Sequence, residues 1–373
     1  MKKQLNVVAI CVIYLIAPLM VNAQENQTNK EPEKEDVSWK AYWSEGFKFA
    51  SSDGRFNFKF GGRIMNDWVV PGSYDDNLRT SFGEPTHGTE FRRVRFFNSR
   101  TIYNNITYKL QFDFTGGDAD LKDAYIQINK IPAIGHLKIG HHKEPFGLEE
   151  LTSSKYITFM ARALTSPLQP SRNAGVTIHD EVLDGRMTYA LGTFRDVDGY
   201  GSSKAGETAR YNLTGRITGL PWKQGDNLVH LGLAYQMRNP DKKEVKYSSE
   251  PETHQQLDFV NTGTIDNVSG ENIAGVELAA VYGPLSLQGE FQTSALNRSI
   301  SLDNTQNNET KEKEVSTNFS AFYAYASVFL TGGDHRSYGG GSFGRVKPQK
   351  NFGETGGFGA LEIALRYSYL DLI

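Results

Sequence analysis

Runs of about nine to eleven residues in which every second side chain is apolar limit the folds open to this chain more than any other feature. From Arg55 to Ile64, Phe56, Phe58, Phe60 and Ile64 share one face, and Asn57, Lys59, Gly61 and Arg63 share the other. Tyr108, Leu110, Phe112 and Phe114 alternate with Thr107, Lys109, Gln111 and Asp113. Val229, Leu231, Leu233, Tyr235 and Met237 alternate with His230, Gly232, Ala234 and Gln236. Leu361, Ile363, Leu365, Tyr367 and Tyr369 alternate with Glu362, Ala364, Arg366 and Ser368. Successive side chains of a strand point to opposite sides, so this period marks strands and not helices. About thirteen such segments begin near Arg55, Phe91, Thr107, Lys122, His136, Ala174, Arg186, Ala209, Asn227, Ile273, Leu285, Phe319 and Phe358.

Two architectures share this alternation. A soluble sandwich turns its charged face to bulk water. A transmembrane barrel turns it to a wet lumen, and each tilted strand spans the bilayer in ~9–11 residues. Hydrophobic content is 38%, yet the chain holds 18 Tyr and 22 Phe, and these recur at the ends of the runs, where a barrel carries its aromatic girdles. Short connections (Asn104-Asn105, Gly283-Pro284) alternate with long ones (66–90, 144–173, 239–272, 295–317 and 332–357). Tight turns at one end and long polar loops at the other are the barrel's plan. The expected fold class is all-β, an antiparallel transmembrane β-barrel over residues 47–373.

The first residues bear on the compartment. Lys2 and Lys3 precede an apolar stretch from Val7 to Val21 that ends in Val21-Asn22-Ala23, so residues 1–23 read as a cleaved signal peptide. The single cysteine, Cys11, lies within it, which leaves no disulfide, thiolate metal site or cysteine nucleophile beyond residue 23. Without Lys2 and Lys3 the formal charge moves from −3 to −5, too mild to suggest nucleic-acid binding. Residues 24–46 are expected as a polar periplasmic lead.

Residues 143–173, KEPFGLEELTSSKYITFMARALTSPLQPSRN, break the pattern. They mix Phe146, Leu148, Ile157, Phe159, Met160 and Leu164 with charges (Lys143, Glu144, Glu149, Glu150, Arg162 and Arg172), which a loop folded into a lumen needs and an exposed loop does not. This segment and three others resemble the phosphate-selective porin family, the porin O and P group. The phrases are FKFGGRIMNDW (58–68), EFRRVRFFNSRTIYNNITYKLQFDFTGGDADLKDAYIQI (90–128), IGHHKEPFGLEELTSSKYITFMAR (139–162), and GSFGRVKP with ALEIALRYSYLDL (341–348 and 360–372). The resemblance implies a sixteen-stranded homotrimer in the outer membrane of a Gram-negative bacterium, in contact with outer-membrane lipid and lipopolysaccharide. It also implies a third long loop, here 144–173, that narrows the pore, and roughly three further strands after RYSYLDL that end on an aromatic residue. The thirteen strands counted and three absent agree with sixteen, so a fragment or truncated product is expected.

A porin selects by radius and lining charge and carries out no covalent step. The inferred lumen faces carry Lys59, Arg63, Arg93, Arg95, Lys109, Lys138, Arg216 and Arg366 against Asp113, Asp123, Glu290 and Glu362. This excess of bases predicts weak anion preference in an acidic chain. The competing reading is that opposite charges merely pair across the wall. In the inward loop Lys143, Arg162 and Arg172 are the candidates for solute contact, because a guanidinium forks onto phosphate or carboxylate; Glu144, Glu149 and Glu150 are placed to neutralise them instead. His141 and His142, adjacent on a strand, point to opposite faces and do not chelate one metal. GGDHRSYGGGSFG (332–344) lacks the lysine and following helix of a phosphate-binding loop. No metal and no cofactor are expected.

The leading function is therefore a water-filled channel for passive diffusion of small hydrophilic solutes, anions such as phosphate among them. An outer-membrane barrel whose long loops, 239–272 above all, bind a glycan-like ligand is the second reading. A secreted β-rich enzyme is the third, and no recognisable acid–base or metal cluster supports it.

Overall fold

The alternating runs form strands, and the strands pair in the order of the chain. The computed structural model describes residues 37–72, 75–84, 87–203, 210–240, 242–254, 257–304 and 309–373. The expected signal peptide and residues 24–36 of the expected lead lie outside them. Fifteen strands make one antiparallel sheet in sequence order. They are Trp39–Trp43 (β1), Phe47–Ser51 (β2), Phe56–Val69 (β3), Gly88–Ile102 (β4), Ile106–Asp113 (β5), Asp120–Ile131 (β6), Gly135–Lys143 (β7) and Arg172–Val182 (β8). Met187–Arg195 (β9), Asn212–Gln224 (β10), Asn227–Arg238 (β11), Val268–Tyr282 (β12), Leu285–Asn304 (β13), Glu309–Phe329 (β14) and Glu362–Asp371 (β15) complete it. The edges β1 and β15 are not paired with each other.

Three expectations need correction. The count of thirteen omits β1 and β2, whose five residues each show too few alternations to stand out, so the addition that reached sixteen does not hold. The strand β1 also falls within the stretch expected as a polar lead; Trp39, Ala41 and Trp43 alternate and pair with β2. Residues 295–317 are not a loop over most of their length. Strands β13 and β14 run on through Ala295↔Asn318 to Asn304↔Glu309 as a long hairpin, because register-matched polar strands keep their backbone groups paired beyond the apolar band.

The sheet is inside-out relative to a soluble protein. Along β11, Leu231 and Leu233 are 48% and 58% exposed, whereas His230 and Gln236 are fully buried. On β15 Leu365 is 80% exposed. An apolar outer face is stable only against lipid, and the polar inner face is satisfied by other polar groups. Replacing Leu233 by Arg, mid-strand on the outer face, should therefore cost about 2–4 kcal/mol, read as a lowered denaturant midpoint for unfolding from vesicles.

The sheet curls far enough for distant strands to reach the same groups. Arg92 on β4 donates to the Met160 carbonyl (3.1 Å), and Arg366 on β15 donates to the Ala161 carbonyl (3.0 Å). His254, between β11 and β12, lies 2.5 Å from the Glu90 carboxylate on β4.

Candidate functional site

The segment between β7 and β8 crosses the interior, as its apolar content predicts. Phe146 and Leu148 are fully buried, Phe159 packs edge-on to Tyr325 (5.5 Å between ring centroids), and Met160 is the exception at 53% exposed. Gly147 opens the short helix α1, Leu148–Leu151, at φ 75°. At that φ an L side chain is strained and glycine is not, so glycine suits the turn.

Carboxylates pin this loop to the wall. Glu290 on β13 accepts the backbone N–H groups of Leu148 (3.1 Å) and Glu149 (2.7 Å) and the Tyr323 hydroxyl (2.6 Å). Glu144 accepts from Asn173 (2.7 Å), Gln236 (2.6 Å) and Thr214. Glu149 accepts the Ala163 N–H (2.9 Å) and lies 3.4 Å from Arg366. Replacing Glu290 by Ala strands two buried N–H groups and should cost about 3 kcal/mol, whereas Glu290→Gln keeps an acceptor and should cost less. Denaturant midpoints in detergent would measure the pair.

A second loop enters from the opposite end. Residues 330–361 join β14 to β15 at the end that carries the tight turns 103–105, 183–186 and 225–226, and His335 sits 3.3 Å from Asp226 of the last of these. The expectation that this loop projects with the long ones is thus corrected. It folds inward because its residues find buried partners there. The Gly341 carbonyl accepts from Arg216 (2.8 Å), Tyr338 bonds His230 (2.6 Å), and the Phe343 N–H donates to the Thr152 hydroxyl (3.3 Å). Phe343 packs with Leu148, Leu220, Leu228, Ala279 and Val281. The two loops meet inside and fill the half of the interior lined by β10–β14.

The other half stays open as a cavity of about 800 Å³ against β3–β8. All eight candidates from the sequence line it: Lys59, Arg63, Arg93, Arg95, Lys109, Lys143, Arg162 and Arg172. Lys122, Lys138 and Lys155 join them, and the acids are Asp123, Glu150 and Asp198. Eleven bases against three acids make the walls strongly electropositive. Alternation gave Lys138 a lumen face but could not find Lys155, which lies in a loop, or Lys122, beside the bulge between Gln111 and Phe112 where the period slips.

The expected pairing across the wall accounts for some of these bases and not others. Asp113 holds Arg95 (2.6 Å), Asp123 holds Lys109 (2.6 Å) and Arg172 (2.8 Å), and Glu150 holds Arg162 (2.9 Å) and Lys143 (3.1 Å). Among the described residues Arg63 donates only to the Ser153 hydroxyl (3.4 Å), and its Nε is buried without a partner. Among the described residues neither Arg63 nor Arg93 has an ion pair. Arg216 and Arg366 face inward as expected but lie outside the cavity. The first is locked to Glu277 (2.8 and 2.6 Å), the second to Glu252 (2.5 Å). His141 and His142 are both buried, and His142 bonds the Gly140 carbonyl and the Thr177 hydroxyl, a structural use.

The loop carboxylates differ in titration. Burial pushes Glu144 and Glu149 above the ordinary carboxylate range. Burial acts on Glu150 in the same sense, but Arg162, Lys143 and Arg172 outweigh it and hold its pKa below that range. A depressed pKa stabilises the fold above the unfolded value, and that contribution is lost as pH falls through the folded one. Protonating Glu150 leaves Arg162 and Lys143 uncompensated at the constriction. Anion preference should thus rise as the pH drops below the ordinary carboxylate range, and Glu150→Gln should show the raised preference at neutral pH, both read as reversal potentials.

Comparison with known proteins finds relatives over most of the chain. The family model described as phosphate-selective porin O and P matches residues 58–372. Porin O of Pseudomonas aeruginosa is 26% identical over 356 residues, covering 88% of this chain and 75% of the relative. A protein of Caulobacter vibrioides described as uncharacterized is 28% identical over 340 residues, covering 88% of this chain. The chain spans 64% of that relative's length. Among solved structures, OprB of Pseudomonas putida at high pH aligns with a TM-score of 0.41 at 9% identity, covering 74% of this chain and 76% of the other. A loop L8 deletion mutant of OmpT, an outer-membrane protein of Vibrio cholerae, aligns with a TM-score of 0.36 at 12% identity, covering 84% and 100%.

Proposed function

This chain belongs to the phosphate-selective porin O and P family, and from that premise we propose that it forms a water-filled channel through an outer membrane for small anions such as phosphate. The observation that carries this reading is the open half of the interior, where eleven basic side chains face three acids. Fixed positive charge concentrates anions and repels cations, and the effect is strongest where low-dielectric walls confine the field. Arg63 and Arg93 are the solute contacts in this reading, since among the described residues no carboxylate occupies their forks. Lys143, Arg162 and Arg172, already bonded to Glu150 and Asp123, set the field at the constriction.

No covalent step belongs to the reading. Export by a signal peptide cleaved after Ala23, read from the first residues, and assembly as a homotrimer, implied by the family, are proposed with it. Loop capture of a glycan-like ligand is less well supported, because the candidate loop is engaged inside: Val245 and Tyr247 are buried, and Glu252 pairs with Arg366.

Single-channel recording in planar bilayers tests the proposal. Discrete anion-selective steps, with chloride current reduced by added inorganic phosphate, are the expected result. Steps without ion preference would remove the selectivity claim, and folded protein that gives no steps would overturn the channel.

A further inference from the structure

The outer face of the wall carries an arginine with no counter-charge among the described residues. On β4, Arg95, Phe97 and Ser99 line the cavity, so Arg100, one position beyond Ser99, points to the outside. Its cross-strand partners confirm the direction: Phe58 on β3 and Tyr108 on β5 both belong to the apolar outer set. The guanidinium carbon lies 4.1 Å from the Phe58 ring centroid and 4.8 Å from that of Phe56. The Nε of Arg100 is buried without a hydrogen-bond partner, and among the described residues Arg100 has no ion pair. The next outward side chain along β4, Asn98, is satisfied by the Tyr108 hydroxyl (2.5 Å) and offers Arg100 no negative charge.

The position along the strand matters. Arg100 is two residues from the end of β4 at Ile102, beside the tight turn at 103–105, and Tyr103 and Trp39 pack on Phe56 at the same end (5.3 and 6.2 Å). Aromatics at a strand end mark the level of the lipid headgroups. An arginine there extends its stem along apolar surface and places its fork among phosphates. A bare charge in this setting is costly, and a phosphate oxygen pair is the partner whose geometry fits a guanidinium.

We propose that Arg100, seated on Phe56 and Phe58, is a binding site for the phosphate of a phospholipid headgroup in the leaflet at the tight-turn end of the barrel. The site is on the outer wall and independent of what passes through the lumen. Native mass spectrometry of the full chain in maltoside detergent, titrated with phosphatidylglycerol, tests it. Wild type should hold one more lipid per chain than Arg100→Gln, with binding at that step roughly tenfold weaker in the variant. Arg100→Lys should retain part of the affinity as a point charge without the fork. Heat-modifiable gel migration verifies that each variant is folded, and unchanged conductance separates this site from the channel reading. Equal lipid retention by wild type and Arg100→Gln overturns the proposal. So does a drop in subunit number on substitution, which would mean that a second copy of the chain covers Arg100.

Discussion

Replacing Arg63 and Arg93 together by glutamate should sharply reduce the anion preference of the pore, with the anion-to-cation permeability ratio falling roughly tenfold. The size follows from how the cavity charges are spent. Asp113, Asp123 and Glu150 already face Arg95, Lys109, Arg172, Lys143 and Arg162 at 2.6–3.1 Å, so these bases act with a carboxylate beside them. Arg63 and Arg93 do not. Two unit charges ~4 Å apart interact by about 1 kcal/mol in bulk water and about 4 kcal/mol at an effective dielectric near 20, and each substitution reverses a charge that a permeating ion meets at such range. Reversal potentials in a salt gradient give the ratio directly. The effect should shrink at high ionic strength, where the Debye length falls to about 3 Å at 1 M. Arg216→Gln is the control: it removes an inward-facing arginine outside the cavity, so it should lower stability and leave selectivity unchanged. Selectivity that survives Arg63→Glu/Arg93→Glu would place the filter elsewhere.

The second large effect concerns the loop that enters from the tight-turn end. Deleting residues 338–343 should raise the single-channel conductance and weaken selectivity, because it reopens the half of the interior that Tyr338, Gly341 and Phe343 now close. A point variant reports the energetic side. Phe343 fills a site bounded by Leu148 of the constriction loop and by Leu220, Leu228, Ala279 and Val281 of the wall, and Phe343→Ala should cost about 3–5 kcal/mol. Arg336 stacks 3.6 Å above the Phe343 ring and donates to Gln288 (2.9 Å), so it holds that ring in place. Larger current steps from the deletion, together with a lower denaturant midpoint for Phe343→Ala, are expected. Unchanged step size in folded deletion protein would show that the constriction loop alone sets the aperture.

Much of the wall was legible in the residues. Phe56, Phe58 and Phe60 opposite Lys59 and Arg63 gave the correct faces of β3, and Leu231 and Leu233 opposite His230 and Gln236 gave those of β11. The inward course of 144–171 could be read too, since Phe146 and Leu148 have no use in solvent. The loop 330–361 was legible only in part. Alternation along the thirteen counted segments already puts it at the tight-turn end, since omitting the two strands β1 and β2 leaves the order of ends unchanged, but its glycines and lone aromatics show no period that would reveal an inward course. The strength of the cavity charge was likewise underestimated. Counting inward bases and acids treats all as equal, yet Arg216, Arg366 and Glu290 are enclosed by loops while Arg63 and Arg93 stay open to solute.

The sequence by itself determined the β-wall, the faces of its clearest runs and six strand bases of the cavity, Lys59, Arg63, Arg93, Arg95, Lys109 and Lys138, because on a strand the direction of a side chain is a local property that repeats every two residues. Only the tertiary structure decided which half of the interior is closed and which bases are free. Closure requires contacts such as Thr152 with Phe343, and neutralisation requires pairs such as Arg216 with Glu277. Both join positions far apart in the chain, and they exist only once the sheet has curled and the two loops have met inside it.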